Sequence, residues 1–175
     1  MILLINICKE PLHALEFVKP IEDILKKENV KFLTKHYKEI DDIINKNPLK
    51  VEKIIICGTS LSDNEFLNNL KKFDFLLKFK KPVLGICGGA HIIGLLLGCK
   101  LKKQKKPSIG FKKITIKKEF LGVKGEINAY HLNQFRALPE TFQKENFYAT
   151  LFHPEVRNKE IIVNFVRLNI GPAAN

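Results

Sequence analysis

In the stretch Gly85–Ile86–Cys87–Gly88–Gly89 a cysteine sits among glycines. An apolar run, Pro82 to Ile86, gives way there to an apolar stretch of helical character, Gly89 to Leu97. A nucleophile at a sharp strand-to-helix turn needs such neighbours. Small residues let the chain pass close by, and the next amide can face an oxyanion. The amides that open the helix also stabilise negative charge on sulfur. Packing at a tight strand–helix junction asks for the same glycines, so this segment alone leaves nucleophile and buried structural cysteine both open.

A thiol nucleophile needs a base, and the base needs an orienting group. Of the five histidines, His13 and His36 fall on surface elements and read as ordinary. His153, in "LFHPEV", directly follows an apolar run. Pro154 fixes the turn and Glu155 stands two residues on, where its carboxylate can accept from one imidazole nitrogen while the other faces a thiol. The histidines and cysteines lack metal-ligand spacing, so no metal or cofactor site is expected.

The elements that must position these groups alternate. Met1–Cys8, "VKFLTKHY", "VEKIIICG" and Pro82–Ile86 read as four strands. Between them lie a helix over Pro11–Asn29, with Leu15, Val18, Ile21, Ile24 and Leu25 as its apolar stripe, and a short helix at "IDDIINK". The turn "TSLSD" leads to a helix over "NEFLNNLKKFDFLLKF", with Phe66, Leu67, Leu70, Phe73 and Leu77 on one side. Such alternation predicts an α/β fold with an open, mostly parallel sheet and flanking helices, whose sites form at strand carboxyl ends. Gly58 and Cys87 both fall at such ends. Beyond Lys100 the pattern changes: "FKKITIKKEFLGVKGEINAYHL" predicts short strands in a hairpin or meander, "YATLFH" another strand, and "KEIIVNFVRLN" a final helix.

The 175 residues suffice for one domain, expected over 1–170, with 171–175 a disordered tail. No apolar run is long enough to span a bilayer, and the short N-terminal run reads as a strand rather than an export signal. Four cysteines without C-x-x-C spacing then imply reduced thiols and a cytoplasmic location. The net charge is +12, but the lysines are spread along the whole chain; this argues for solvated faces and against a nucleic-acid partner. The densest cluster, "KLKKQKKPSIGFKK", is the one candidate for a basic loop facing a phosphate or an acidic partner.

Taken in order, five segments resemble the triad-type class I glutamine amidotransferases. "IIICGTSLSD" resembles that family's strand ending in Ser-Gly-Gly-Pro, and "PVLGICGGAHIIGLLLGCKL" its nucleophile segment. "SIGFKKI" resembles its Ile-Gly-Trp/Phe strand, "AYHLNQFRALPETF" its Ser-His-x-Asp-x-Val stretch, and "YATLFHPEV" its segment ending in Phe-His-Pro-Glu-Val. The resemblance covers most of the chain and implies a flavodoxin-like architecture and a glutaminase. Cys87 would attack the glutamine side-chain amide, His153 would move the protons and Glu155 would orient His153. Oxyanion and substrate contacts would come from Gly58, Thr59, Gly88, Gly89, His91, Tyr130 and His131. Ammonia would pass to a synthetase subunit on another chain, as in the small free-standing glutaminase subunits of the GMP synthase and anthranilate synthase kinds. The resemblance to the GMP synthase kind is the nearer.

The sequence departs from that pattern in places. Thr59 and Ser60 replace the second Gly and the Pro of Ser-Gly-Gly-Pro. His91 stands where the family often has Gln. Tyr130-His131-Leu132-Asn133 replaces Ser-His-x-Asp, and Leu151 replaces a Gln. Only "QKEN" separates "LPETF" from "YATLFHPE", so the outer strand region should be trimmed. Two alternatives share the constellation. One is a stand-alone gamma-glutamyl hydrolase or peptidase, which needs a roomier cleft. The other is a degenerate amidotransferase domain acting as a binding or regulatory module.

Overall fold

A computed structural model describes residues 1–40 and 50–168; the helix expected at "IDDIINK", apart from its first residue Ile40, and the tail at 171–175 lie outside these residues. Six strands form the central sheet: β1 (Ile2–Asn6), β2 (Phe32–His36), β3 (Lys53–Ile56), β4 (Val83–Ile86), β7 (Thr141–Lys144) and β8 (Phe147–Thr150). Their order is β2-β1-β3-β4-β8-β7; all neighbours run parallel except β7, which is antiparallel to β8. From β1 the chain adds β2 on one side and β3 on the other, so the strand order reverses there. Clefts form beside the carboxyl ends at such a reversal.

Continuous apolar runs make the inner strands. Ile54, Ile55 and Ile56 of β3, and Val83, Leu84 and Ile86 of β4, are fully buried because both sheet faces are covered. One face carries Ile2, Leu4, Ile55 and Leu84 against α2 (Lys19–Lys27) and α4 (Glu160–Arg167). The other carries Leu3, Ile5, Ile54 and Val83 with Phe66, Phe73, Leu76 and, from α3 (Gly88–Leu96), Ile92 and Ile93.

Two expected helices change form. The Pro11–Asn29 segment is broken into a 3₁₀ turn (Pro11–His13), a short α1 (Ala14–Phe17) and α2. Leu15 lies outside the buried stripe at 62% exposure, and Phe17 takes its place beside Val18, Ile21, Ile24 and Leu25. The segment Glu65–Leu77 is 3₁₀ rather than α, kinked at Asn69 (φ −122°, ψ 27°). A three-residue repeat rotates the inward face, so Leu76 is buried and Leu77 exposed.

After Lys100 a single long hairpin replaces the expected short strands. It pairs β5 (Lys102–Phe120) with β6 (Val123–Arg136), separate from the main sheet. Its turn residues Leu121 (φ 48°) and Gly122 (φ 76°) both adopt positive φ, as a two-residue hairpin turn requires. Asn164 of α4 donates from Nδ2 to the Leu121 carbonyl at 2.8 Å, which fastens the tip to the core. The segment "ETFQKENFYAT", in which the sequence shows only a short connector, forms the tight hairpin β7–β8; Glu145 turns it with φ 52°.

Candidate active site

Strand β4 ends at Ile86, paired with Thr150 of β8, and the chain turns at once into α3. Cys87 makes the turn with φ 49° and ψ −98°, a conformation that L-residues rarely adopt and that costs about 1–3 kcal/mol. Its amide donates to the Thr150 carbonyl at 2.8 Å, which holds the strained residue in place. The flanking glycines are sterically required. A Cβ on Gly89 would lie 2.4 Å from the Ile56 carbonyl oxygen, and one on Gly85 2.5 Å from that of Gly89. The glycines thus serve packing, and that close packing forces the elbow. The first amides of α3, beginning with Gly88, have no acceptor inside the helix.

Three residues past β8, the His153 amide donates to the Tyr130 carbonyl at 2.8 Å. The imidazole and the Glu155 carboxylate are both buried, with Nδ1 to Oε1 at 2.7 Å. Nδ1 therefore donates and Nε2 is left free, buried and without a partner. Burial pushes the His153 pKa down, but the charges of Glu155 and Cys87 outweigh it and hold the pKa well above the usual histidine value. The Cys87 thiol itself turns to the Leu132 carbonyl at 3.4 Å. Phe17 packs its ring 5.4 Å from that of His153 and Tyr130 places its own at 6.3 Å, so apolar walls shield the pair.

Cys87, Gly88, His91, Thr59, Ser60 and Phe135 line a small open cleft at this point, with Leu132, Asn133 and Gln134 of β6 along one edge. Gly58 lies against His153: a Cβ there would be 2.6 Å from the imidazole Cε1. His91 is buried, and burial pushes its pKa down to about 4, so the ring is neutral at physiological pH. Its Nδ1 has no partner. Of the residues singled out in the sequence, Cys87, His153, Glu155, Gly58, Thr59, Gly88 and His91 come together here, and Gly89 packs beneath the elbow. Tyr130 reaches the site through its carbonyl and ring edge. His131 does not reach it. Its side chain points to the other side of β6, where Nε2 meets Glu140 at 2.9 Å in a separate recess. Among the described residues no group of three or more His, Cys, Asp or Glu could hold a metal ion.

One group gives no signal in the sequence. Asp63, which reads only as the end of a turn, is buried, and its Oδ2 accepts from His13 Nδ1 (2.7 Å), Thr59 Oγ1 (3.0 Å) and the Lys9 amide (3.0 Å). His13, an ordinary surface histidine by sequence, is thereby tied to the cleft wall.

The sequence and the fold of this chain are similar to those of known proteins. The family model for class I glutamine amidotransferases matches residues 14–146. The chain belongs to this family. The family consists of enzymes; the matched span contains Cys87 and stops short of His153 and Glu155. The amidotransferase chain is 33% identical over 142 residues to a subunit of the glutamine-hydrolysing GMP synthase of Thermoplasma acidophilum, covering 66% of this chain and 71% of that protein. It is 30% identical over 161 residues to imidazole glycerol phosphate synthase subunit HisH of Methanocaldococcus jannaschii, covering 69% and 82%. A crystal structure from T. acidophilum, described as that of a GMP synthase subunit, shares the fold with a TM-score of 0.78 at 19% identity, over 95% of this chain and 92% of that one.

Proposed function

We propose that this amidotransferase domain hydrolyses glutamine through a Cys87 thioester and delivers ammonia to a synthetase on a separate chain, of the GMP synthase type. The observation that carries the reading is the strained Cys87 elbow beside a His153 whose Nδ1 is committed to Glu155 and whose Nε2 is free.

Cys87 Sγ, its proton passed to His153 Nε2, attacks the side-chain amide carbon, and the carbonyl oxygen becomes a tetrahedral oxyanion. The main-chain amides of Gly88 and Thr59 stabilise that charge, Gly88 as the unpaired start of α3. His153, cationic through its neighbours, protonates the departing nitrogen, and ammonia leaves. The neutral imidazole then takes a proton from water as it attacks the thioester, and glutamate is released. Glu155 holds the imidazole orientation in both half-reactions. His91 offers its unpartnered Nδ1 to the substrate as a neutral group.

A domain kept only for binding has no need of a strained cysteine beside a buried His–Glu pair. The GMP synthase assignment draws on the relative at 33% identity. The cytoplasm suits the chemistry, since Cys87 must stay reduced.

The test is trapping with a glutamine chloroketone, read by intact mass and peptide mapping, alone and with candidate ammonia-dependent synthetases. One adduct on Cys87, blocked by excess glutamine, is the expected result. A chain that takes no adduct in any combination is not a glutaminase. A chain that is trapped but is stimulated by other acceptors and not by a GMP-forming synthetase retains the chemistry and loses the assigned partner.

A further inference from the structure

The cleft has a wall whose position is not set by the sheet. Thr59, Ser60, Leu61 and Asn64 follow β3 in an irregular segment, closed by a hydrogen bond from the Asp63 amide to the Ser60 carbonyl at 3.2 Å. Such a loop holds no amide in a fixed direction unless something else pins it, and an oxyanion donor must be preorganised to be effective.

Asp63 supplies that pin. Its carboxylate is 2% exposed and makes three contacts through the single oxygen Oδ2. The Lys9 amide and His13 Nδ1 come from the segment after β1, and Thr59 Oγ1 from the segment after β3. The two loops are clasped together at the carboxyl ends of adjacent strands. Burying a carboxylate is costly unless donors match it, and closing a surface turn does not require one.

Thr59 responds to the clasp through its branched side chain. One branch, Oγ1, is bonded to Asp63. The other, Cγ2, lies 3.4 Å from where a Cβ on Gly88 would stand, against the start of α3. A β-branched residue with both branches fixed has its χ1 fixed, and with it the placement of its Cα and main-chain nitrogen. The threonine in place of a glycine thus loses backbone freedom and gains a handle.

We infer that Asp63 is a positioning residue for glutamine hydrolysis. With His13 behind it, it holds Thr59 so that the main chain at this position faces the oxyanion. The inference rests on the glutaminase reading and on Thr59 as an oxyanion donor. Asp63 touches neither the thiol nor the substrate.

The experiment compares two reagents on Cys87 in Asp63→Ala, Asp63→Asn, Thr59→Val and the unaltered chain. A glutamine chloroketone loses chloride to Cys87 with its neighbouring carbonyl oxygen held at the oxyanion donors; iodoacetamide loses iodide to Cys87 without placing a glutamine carbonyl there. Asp63→Ala and Thr59→Val are expected to slow the chloroketone by about tenfold or more, with the iodoacetamide rate within about twofold. Asp63→Asn keeps an acceptor for Thr59 and the Lys9 amide, and should fall between. Both reagents slowing together, or neither slowing, overturns the inference. If Asp63→Ala fails to fold, Thr59→Val and Asp63→Asn decide by the same ratio. An unaltered chain that takes iodoacetamide but never the chloroketone, alone or with synthetases, instead removes the glutaminase reading, and this inference with it.

Discussion

Gly58 and His153 stand so close that a methyl group on Gly58 would lie 2.6 Å from the imidazole Cε1 and 3.1 Å from Nδ1. The imidazole cannot retreat. It is fully buried, bonded to Glu155 and packed against Phe17. Gly58→Ala must therefore move the ring or the loop. Moving a reacting group by about an ångström costs on the order of 100-fold in rate. The expected outcome is a loss of glutaminase activity of that size, with Cys87 still open to iodoacetamide. The overpacking should also cost about 1–3 kcal/mol in denaturant unfolding. Full activity in the alanine variant would mean that the imidazole position is not critical.

Glu155→Gln tests what holds His153 cationic. Burial alone pushes the imidazole pKa down, and the Glu155 charge is the largest opposing cause. Removing that charge while keeping the shape should lower the pKa and move the alkaline limb of glutamine turnover to lower pH. It should also cut turnover by about 10²–10⁴-fold, since the imidazolium loses both its orienting and its compensating group. The stability effect has a fixed sign. A histidine pKa raised by folding stabilises fully below its ordinary value near 6.5 and loses that contribution as pH rises through the folded value. Parallel pH–rate profiles of the two forms are the check; an unmoved alkaline limb would assign it to another group.

His91→Gln separates two properties of one buried ring. Burial lowers its pKa from 6.5 to about 4. The unfolded chain therefore binds a proton between those values that the folded chain refuses. Stability should fall as the solution is acidified from pH 6.5 to 4 and level off below, by at most about 3 kcal/mol. Glutamine does not titrate, so the variant should lose this slope while still offering polar atoms to the cleft. Urea unfolding at pH 7, 5.5 and 4.5 reads the difference directly. An identical acid slope in the two forms would place the titration elsewhere.

Much of this architecture is legible in the sequence because it depends on local rules. The apolar runs "ILLIN", "KIII" and "VLGI" are the marks of strands buried on both faces, and Gly-x-Cys-Gly-Gly can hardly be read without asking for a tight turn. His153 and Glu155 are two residues apart, so their pairing needs no long-range knowledge. Three features escaped for physical reasons. The spacing of Phe66 and Phe73 fits an α-helical stripe, and only the kink at Asn69 between them lets both face inward in a 3₁₀ segment. The side of β6 to which His131 points follows from hairpin register: Gly110 opposite His131 and Phe111 opposite Tyr130. A shift of one residue would exchange the two faces. Asp63 gathers donors from two loops, Lys9 and His13 after β1 and Thr59 after β3, and no periodicity records such a meeting.

The four thiols allow a last test, because exposure and chemistry rank them differently. Cys99 is the most accessible, whereas Cys8, Cys57 and Cys87 are buried. On accessibility alone Cys99 should take a small alkylating agent first. Burial pushes the Cys8 pKa up to about 11 and that of Cys57 well above the ordinary thiol value, so neither should compete at neutral pH. Cys87 is only 4% exposed, but it borders the cleft, opens α3 and stands beside a cationic His153. Iodoacetamide at pH 7, followed by peptide mapping at short times, should therefore label Cys87 at least as fast as the more exposed Cys99. Glu155→Gln should slow Cys87 and leave Cys99 unchanged, because only the former is coupled to the imidazole. Labelling in order of exposure alone, unaltered by Glu155→Gln, would make Cys87 an ordinary buried thiol in a strained turn.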